Sequence, residues 1–257
     1  MHSTSFSGSS TLVRLLDPWA PVEAAAPGPD VAERMSLWFG PLDAIRLQTM
    51  HQAVVAAGEE RKPAKAGARK APPVADDLQR VRGVLAKAIS QDPLVLAGLK
   101  LDATEDPGYG PFHQRHIELQ RQMGQMVGAL RDHVRQSVAR VSPRLRQLAV
   151  LDASLEELMA AREQALLPTT ALLLERRFSQ LRAAHRQVNE ITEEAGALDS
   201  HVRSRSSRGN DGGGRPSWLA AFANDWRNAL LAELDLRLEP VAGLVDALRN
   251  EPHTSQA

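Results

Sequence analysis

Apolar residues recur at threes and fours along most of this chain, which is the period of one face of an α-helix. Val31, Met35, Trp38, Leu42 and Ile45 make one such stripe, and Phe39, Leu47, Met50 and Val54 make a second beside it. Asp30 and Glu33 open this segment with capping-box spacing. Gly40-Pro41 interrupts it, because a proline removes a helical hydrogen bond and clashes with the carbonyl four residues back. The expectation is a hinge, with Gly40 ending one helix and Pro41 at the first position of the next. Further on, Leu78, Val81, Leu85 and Ile89 give a third helix over Val74 to Ser90. Phe112, His116, Leu119, Met123, Met126 and Leu130 begin the longest pattern, which runs through Val134, Val138 and Val141. After Ser142-Pro143, a cap and a first helical residue, it resumes through Leu145, Leu158, Leu174, Phe178, Leu181, Val188 and Ile191. Pro168 should kink this second arm. Trp218, Phe222, Trp226, Leu230, Leu234 and Leu238 step by four in a last helix, which Pro240 should kink or end.

These elements give the following organisation. Residues 1–29 form a flexible N-terminus with a short helical stretch at "TLVRLLD", and 30–57 a kinked helix. Residues 58–73 form a basic linker expected to be disordered, and 74–199 a helical core with two long antiparallel arms. Residues 200–216 form a second disordered linker of Ser, Arg and Gly, and 217–257 a C-terminal helix and tail. Residues 91–111 read as loop, with an apolar patch at Leu94 to Leu96. Strand formers never cluster. The expected fold is all-α: an elongated antiparallel helical bundle with coiled-coil-like arms. One arm, Pro111 to Val141, would span ~46 Å at ~1.5 Å per residue.

Composition narrows the range of functions. Lys+Arg and Asp+Glu are both 31, so no global field draws in nucleic acid or anionic membrane. There is no cysteine, which excludes disulfides, cysteine nucleophiles, Fe–S clusters and thiolate zinc sites. No secretory signal is visible, and the longest uncharged stretch of note, "QALLPTTALLL", is too short to span a bilayer. A cytoplasmic protein is expected.

Candidate chemistry is sparse. His113 and His116 stand three apart on a helix, but a metal site would need a third ligand and His116 falls on the apolar stripe. "GNDGGG" follows no strand and is no phosphate cradle. Seven arginines crowd Arg115 to Arg146, against Glu118 and Asp132 alone. They either pair with acids across the bundle or, with the Arg/Lys-rich linkers, touch nucleic acid or lipid by counterion release. No cofactor is implied. Trp38 reads as a core anchor, and Trp38→Ala is then expected to cost ~3–5 kcal/mol in thermal denaturation. Phe39, Trp38, Trp218 and Trp226 are the candidate partner-binding residues, since aromatics anchor interfaces.

Several stretches, "ERMSLWFGPLDAIRLQTM", "FHQRHIELQRQM", "SPRLRQLAVLDASLEELMAAREQALLPTTALLLERRFSQL" and "WLAAFANDWRNALLAELDLRLEPVAGLVDAL", carry a resemblance. Taken in order, they resemble an uncharacterised proteobacterial family defined only as a domain of unknown function. The likeness covers Thr11 to Leu248, with the two linkers variable. It departs at Pro41-Leu42, where a second tryptophan often precedes the Asp-Ala pair. The resemblance implies no catalytic residue. It implies partners: relatives look like accessory members of gene sets encoding a stator-type proton channel and an OmpA-like, peptidoglycan-binding protein. The expected function is a non-enzymatic helical scaffold or adaptor that binds other proteins, or itself. The alternative is a nucleic-acid-associated factor using the Arg/Lys-rich linkers.

Overall fold

A computed structural model describes residues 10–20, 41–59, 73–98, 108–199 and 218–251. Every regular element among them is helical. A short α1 (Thr11–Leu16) is capped by the Ser10 hydroxyl, which accepts from the Val13 amide at 3.3 Å. A 3-10 turn, Asp17–Trp19, follows. Then come α2 (Pro41–Glu59), α3 (Val74–Ser90), α4 (Pro93–Gly98), α5 (Gly110–Val138), α6 (Pro143–Asp199) and α7 (Trp218–Arg249).

Pro41 opens α2, as its missing N–H allows. Gly40 and the preceding stripe, Trp38 and Phe39 included, lie outside the described residues, as does the Asp30–Glu33 cap. So do residues 60–72 and 200–217, where both linkers fall; α2 continues two residues beyond the expected linker boundary, to Glu59. The Ser142 hydroxyl caps α6 by accepting from the Leu145 amide at 3.1 Å. One expectation needs correction, and another is narrowed from two outcomes to one. Residues 93–98 are helix rather than loop: Asp92 caps α4 by accepting from the Leu94 amide at 3.0 Å, while Val95 is fully buried. Pro240 does not end α7, because Leu238, Val241, Leu244 and Val245 hold both sides of it in the core. That burial outweighs the roughly 3 kcal/mol an interior proline costs. Pro168 likewise lies inside an uninterrupted α6.

The helices build two compact units, and α3, α5, α6 and α7 contribute residues to both. Unit 1 comprises Met1–Ala20, Ala86–Gln120 and Thr169–Glu233. Its core is an aromatic cluster. Phe112, Phe178, Phe222 and Trp226 meet mostly edge to face, Phe112 lying 5.0 Å from Phe222 and 5.6 Å from Trp226 between ring centroids. Trp218 closes over Phe178 at 5.2 Å. Tyr109 joins the rim, its hydroxyl donating to the Ala171 carbonyl at 2.7 Å. Trp19 is buried, with the Arg177 guanidinium 5.7 Å above its ring. Gly108, at φ 70, makes the left-handed turn that delivers Tyr109 to this place.

Unit 2 comprises Pro21–Leu85, Arg121–Pro168 and Leu234–Ala257. Its core is aliphatic: Leu78 and Leu85 from α3, Met123, Val134 and Val138 from α5, Leu145 from α6, and Leu234, Val241 and Leu244 from α7. Arg131 pairs with Glu156 and Arg135 with Asp152, so α5 and α6 run antiparallel here. Arg82–Asp235 at 2.8 Å and His133–Asp77 at 3.4 Å tie α3 to α7 and to α5.

Candidate functional site

Three features hold the chemistry. The first lies in unit 1, where α5 turns His116 and Gln120, one helical turn apart, toward α7. Gln120 donates through Nε2 to both carboxylate oxygens of Glu233, at 3.1 and 3.0 Å. His116 Nε2 lies 4.0 Å from Glu233 Oε2. Both ionisable side chains are enclosed, His116 wholly and Glu233 to within 3% of its surface. The imidazole lies 6.5 Å from the Trp226 ring, whose buried Nε1 finds no hydrogen-bond partner among the described residues. A carboxylate this deep must be hydrogen-bonded to be tolerated. His113, three residues before His116, is exposed instead and packs 5.8 Å from Tyr109, so the two imidazoles do not converge. Among the described residues no three His, Asp or Glu side chains are arranged to hold a metal ion.

The second feature is an ionic cluster in unit 2. Asp152 receives Arg131 in a two-pronged contact, at 2.6 and 2.9 Å, and Arg135 at 2.6 Å. Glu156 takes the remaining prongs at 3.2 and 2.6 Å. Burial alone would raise the Asp152 pKa. The hydrogen bonds and charges of Arg131 and Arg135 outweigh it and hold that carboxyl below the ordinary aspartate value. Burial likewise opposes the charge on Arg135, and Glu156 and Asp152 overcome it, raising its pKa. The arginine excess of the α5 stretch is thus answered in part by acids on α6. Arg115 is held by Asp92 at 2.7 Å and Glu118 at 2.8 Å.

The third feature is a groove of about 250 Å³ between α2 and α6 in unit 2. Asp43 and Arg162, at 3.5 Å, meet at one end of α2, and Arg146 reaches the Ala57 carbonyl at 3.5 Å at the other. A cation at a helix C-terminus suits both the free carbonyls and the dipole. Between these contacts Ile45, Leu47, Met50, Ala53 and Leu158 line the groove, with Arg46 and Glu157 supplying charge. Apolar residues are spread around α2 rather than confined to one stripe. Ile45 is therefore 63% exposed and Val55 43%.

The sequence-predicted partner residues divide. Trp226 is fully buried and Trp218 nearly so, both within the unit 1 cluster, so neither ring is presented to a partner in this fold. Their stripe on α7 faces the chain's own helices. Trp38 and Phe39 lie outside the described residues. Sequence reasoning passed over Glu233, although the signal was there: a carboxylate beside Leu230 and Leu234, at an inward position of an otherwise apolar face. It also passed over Tyr109 and Asp92, which sit in a stretch read as loop.

No curated protein and no solved structure matches the chain. Residues 1–250 match the family described as "Protein of unknown function (DUF3348)", and the chain belongs to that family.

Proposed function

We propose that this protein is a non-enzymatic helical scaffold that binds another protein through helix-to-helix contacts. The groove between α2 and α6 carries the reading. It is mostly apolar and flanked by one basic and one acidic residue, which suits the apolar face of an amphipathic helix. Met50, with its flexible unbranched chain, gives it an adaptable wall. The resemblance noted above suggests the partner's source, a stator-type channel or an OmpA-like envelope protein. No helix among the described residues is long and apolar enough to cross a membrane.

The test is a crosslinked pull-down of the tagged protein from its native cells, beside an Ile45→Lys variant. Ile45 is already exposed, so the variant should fold normally and lose the partner. Equal recovery by both proteins would remove the groove from the function. The competing reading places nucleic acid on the Arg/Lys-rich linkers. Partners that vanish on nuclease treatment would favour it.

A further inference from the structure

We infer that two copies of this chain pair through the α2–α6 groove, each laying its α2 across the other's α6. This pairing rests on the groove being a helix-binding surface, and it names what fills that surface. From Leu47 to Gly58, α2 carries no aspartate, glutamate, lysine or arginine, yet Ala57 is the only buried residue of that run. A solvated helix face is normally charged, and a helix apolar on several sides is normally covered. The less exposed positions, Asp43, Leu47, Met50, Val54 and Ala57, step by four and three, so one side of α2 faces α6. Ile45, Thr49, Gln52 and Ala56 step likewise on another side, and all four are exposed. On α6, Leu155 beside the groove is 42% exposed.

The charges on the two walls select the occupant. Arg46, on the α2 wall, has a side chain 69% exposed. Its ion pair with Asp43 is long, 3.7 Å, and Asp43 also holds Arg162 at 3.5 Å. Glu157, on the α6 wall, is exposed and pairs with no cation among the described residues. A foreign helix would have to bring an acid for one wall and a base for the other. A second copy carries both already. Because α2 and α6 run antiparallel, a two-fold axis through the groove exchanges its walls without reversing either helix against the one it replaces. Arg46 of each copy then stands opposite Glu157 of the second copy. Ile45 on the rim enters the second copy's groove, and the small Thr49 and Ala56 let the helices approach closely. The same patch serves on both partners, as a two-fold contact requires. The two α2 and two α6 helices close into a four-helix arrangement that covers the uncharged side of α2.

Sedimentation equilibrium of the full chain at micromolar concentration tests it. The expected mass is about twice 28.0 kDa. Arg46→Glu and Glu157→Arg each set like charges across both rims, so each should raise the dimer Kd about tenfold or more. Both positions are exposed, so both variants should keep the wild-type helical circular dichroism. Combined in one chain, the two substitutions restore opposite charges, and the dimer should return. A wild-type chain that stays at 28.0 kDa overturns the pairing. So does a dimer that neither single variant weakens, or a double variant no tighter than the single ones. The Ile45→Lys pull-down reads the groove separately. If the wild-type chain is a monomer and that variant still loses its partner, the pairing falls while the groove's role in binding another protein stands.

Discussion

Tyr109 is the one tyrosine in the chain, so its ionisation can be followed singly by ultraviolet absorbance. Burial, and then the negative charge of Glu175, push its hydroxyl well above the ordinary phenol range. A folded pKa raised above the unfolded value, about 10, has a definite sign. The stability it contributes is intact below pH ~10 and is lost as pH rises from there toward the folded value. Titration at the ordinary pH in the native protein would contradict the half-buried placement at the rim of the cluster. In the same unit, Trp226→Ala should cost ~3–5 kcal/mol in urea denaturation, since that ring is fully buried and meets Phe112 edge to face. Gln120→Leu removes the two hydrogen bonds that Gln120 donates to the buried Glu233 carboxylate and should cost about 1–3 kcal/mol. A neutral outcome there would mean that Glu233 satisfies itself by other means.

At the scale of elements, the α5–α6 pair depends on its ionic cluster as well as on its apolar seam. Asp152→Ala leaves Arg131 with Glu156 alone and Arg135 with Glu156 and the exposed Asp132, and about 2–4 kcal/mol should be lost, by analogy with other broken, mostly buried pairs. Because the Asp152 carboxyl is held below its ordinary value, this stabilisation is present above pH ~4 and disappears as pH falls through the lower, folded value. Urea titrations at pH ~7 and ~3 should therefore show the variant's deficit shrinking in acid. The helices themselves were largely legible in the sequence. Their period repeats for many turns, and Ser142-Pro143 and Pro41 mark starts by plain backbone chemistry. Kink and end both stayed open at Pro240 because the local penalty does not show the burial of Val241 and Leu244 that carries the helix past it. The short α4 was missed because six residues hold too little period to register, and its cap, Asp92, is fixed by Arg115 from a distant turn. The α2–α6 groove was invisible for a related reason. Which side of α2 stays uncovered depends on where Asp43 and Ala57 find Arg162 and Arg146, and no spacing encodes that.

For the molecule as a whole, equal numbers of acidic and basic residues mean that partner binding should depend on apolar contact more than on attraction at a distance. Recovery of the groove's partner should change little between ~0.1 and ~0.5 M salt, over which the screening length shortens from about 10 Å to about 4 Å. A steep loss would point to the basic linkers instead. The proline inside α6 has a further consequence. Pro168 has no N–H, so the Gln164 carbonyl lacks its helical donor, and one rung is missing from a ladder of 57 residues. The division between the compact units falls at this same rung, between Pro168 and Thr169. Native-state hydrogen exchange should therefore find two opening reactions in one continuous helix, with protection dipping around Thr169 and different free energies on either side. Pro168→Ala would restore the rung, and the two stretches should then exchange as one.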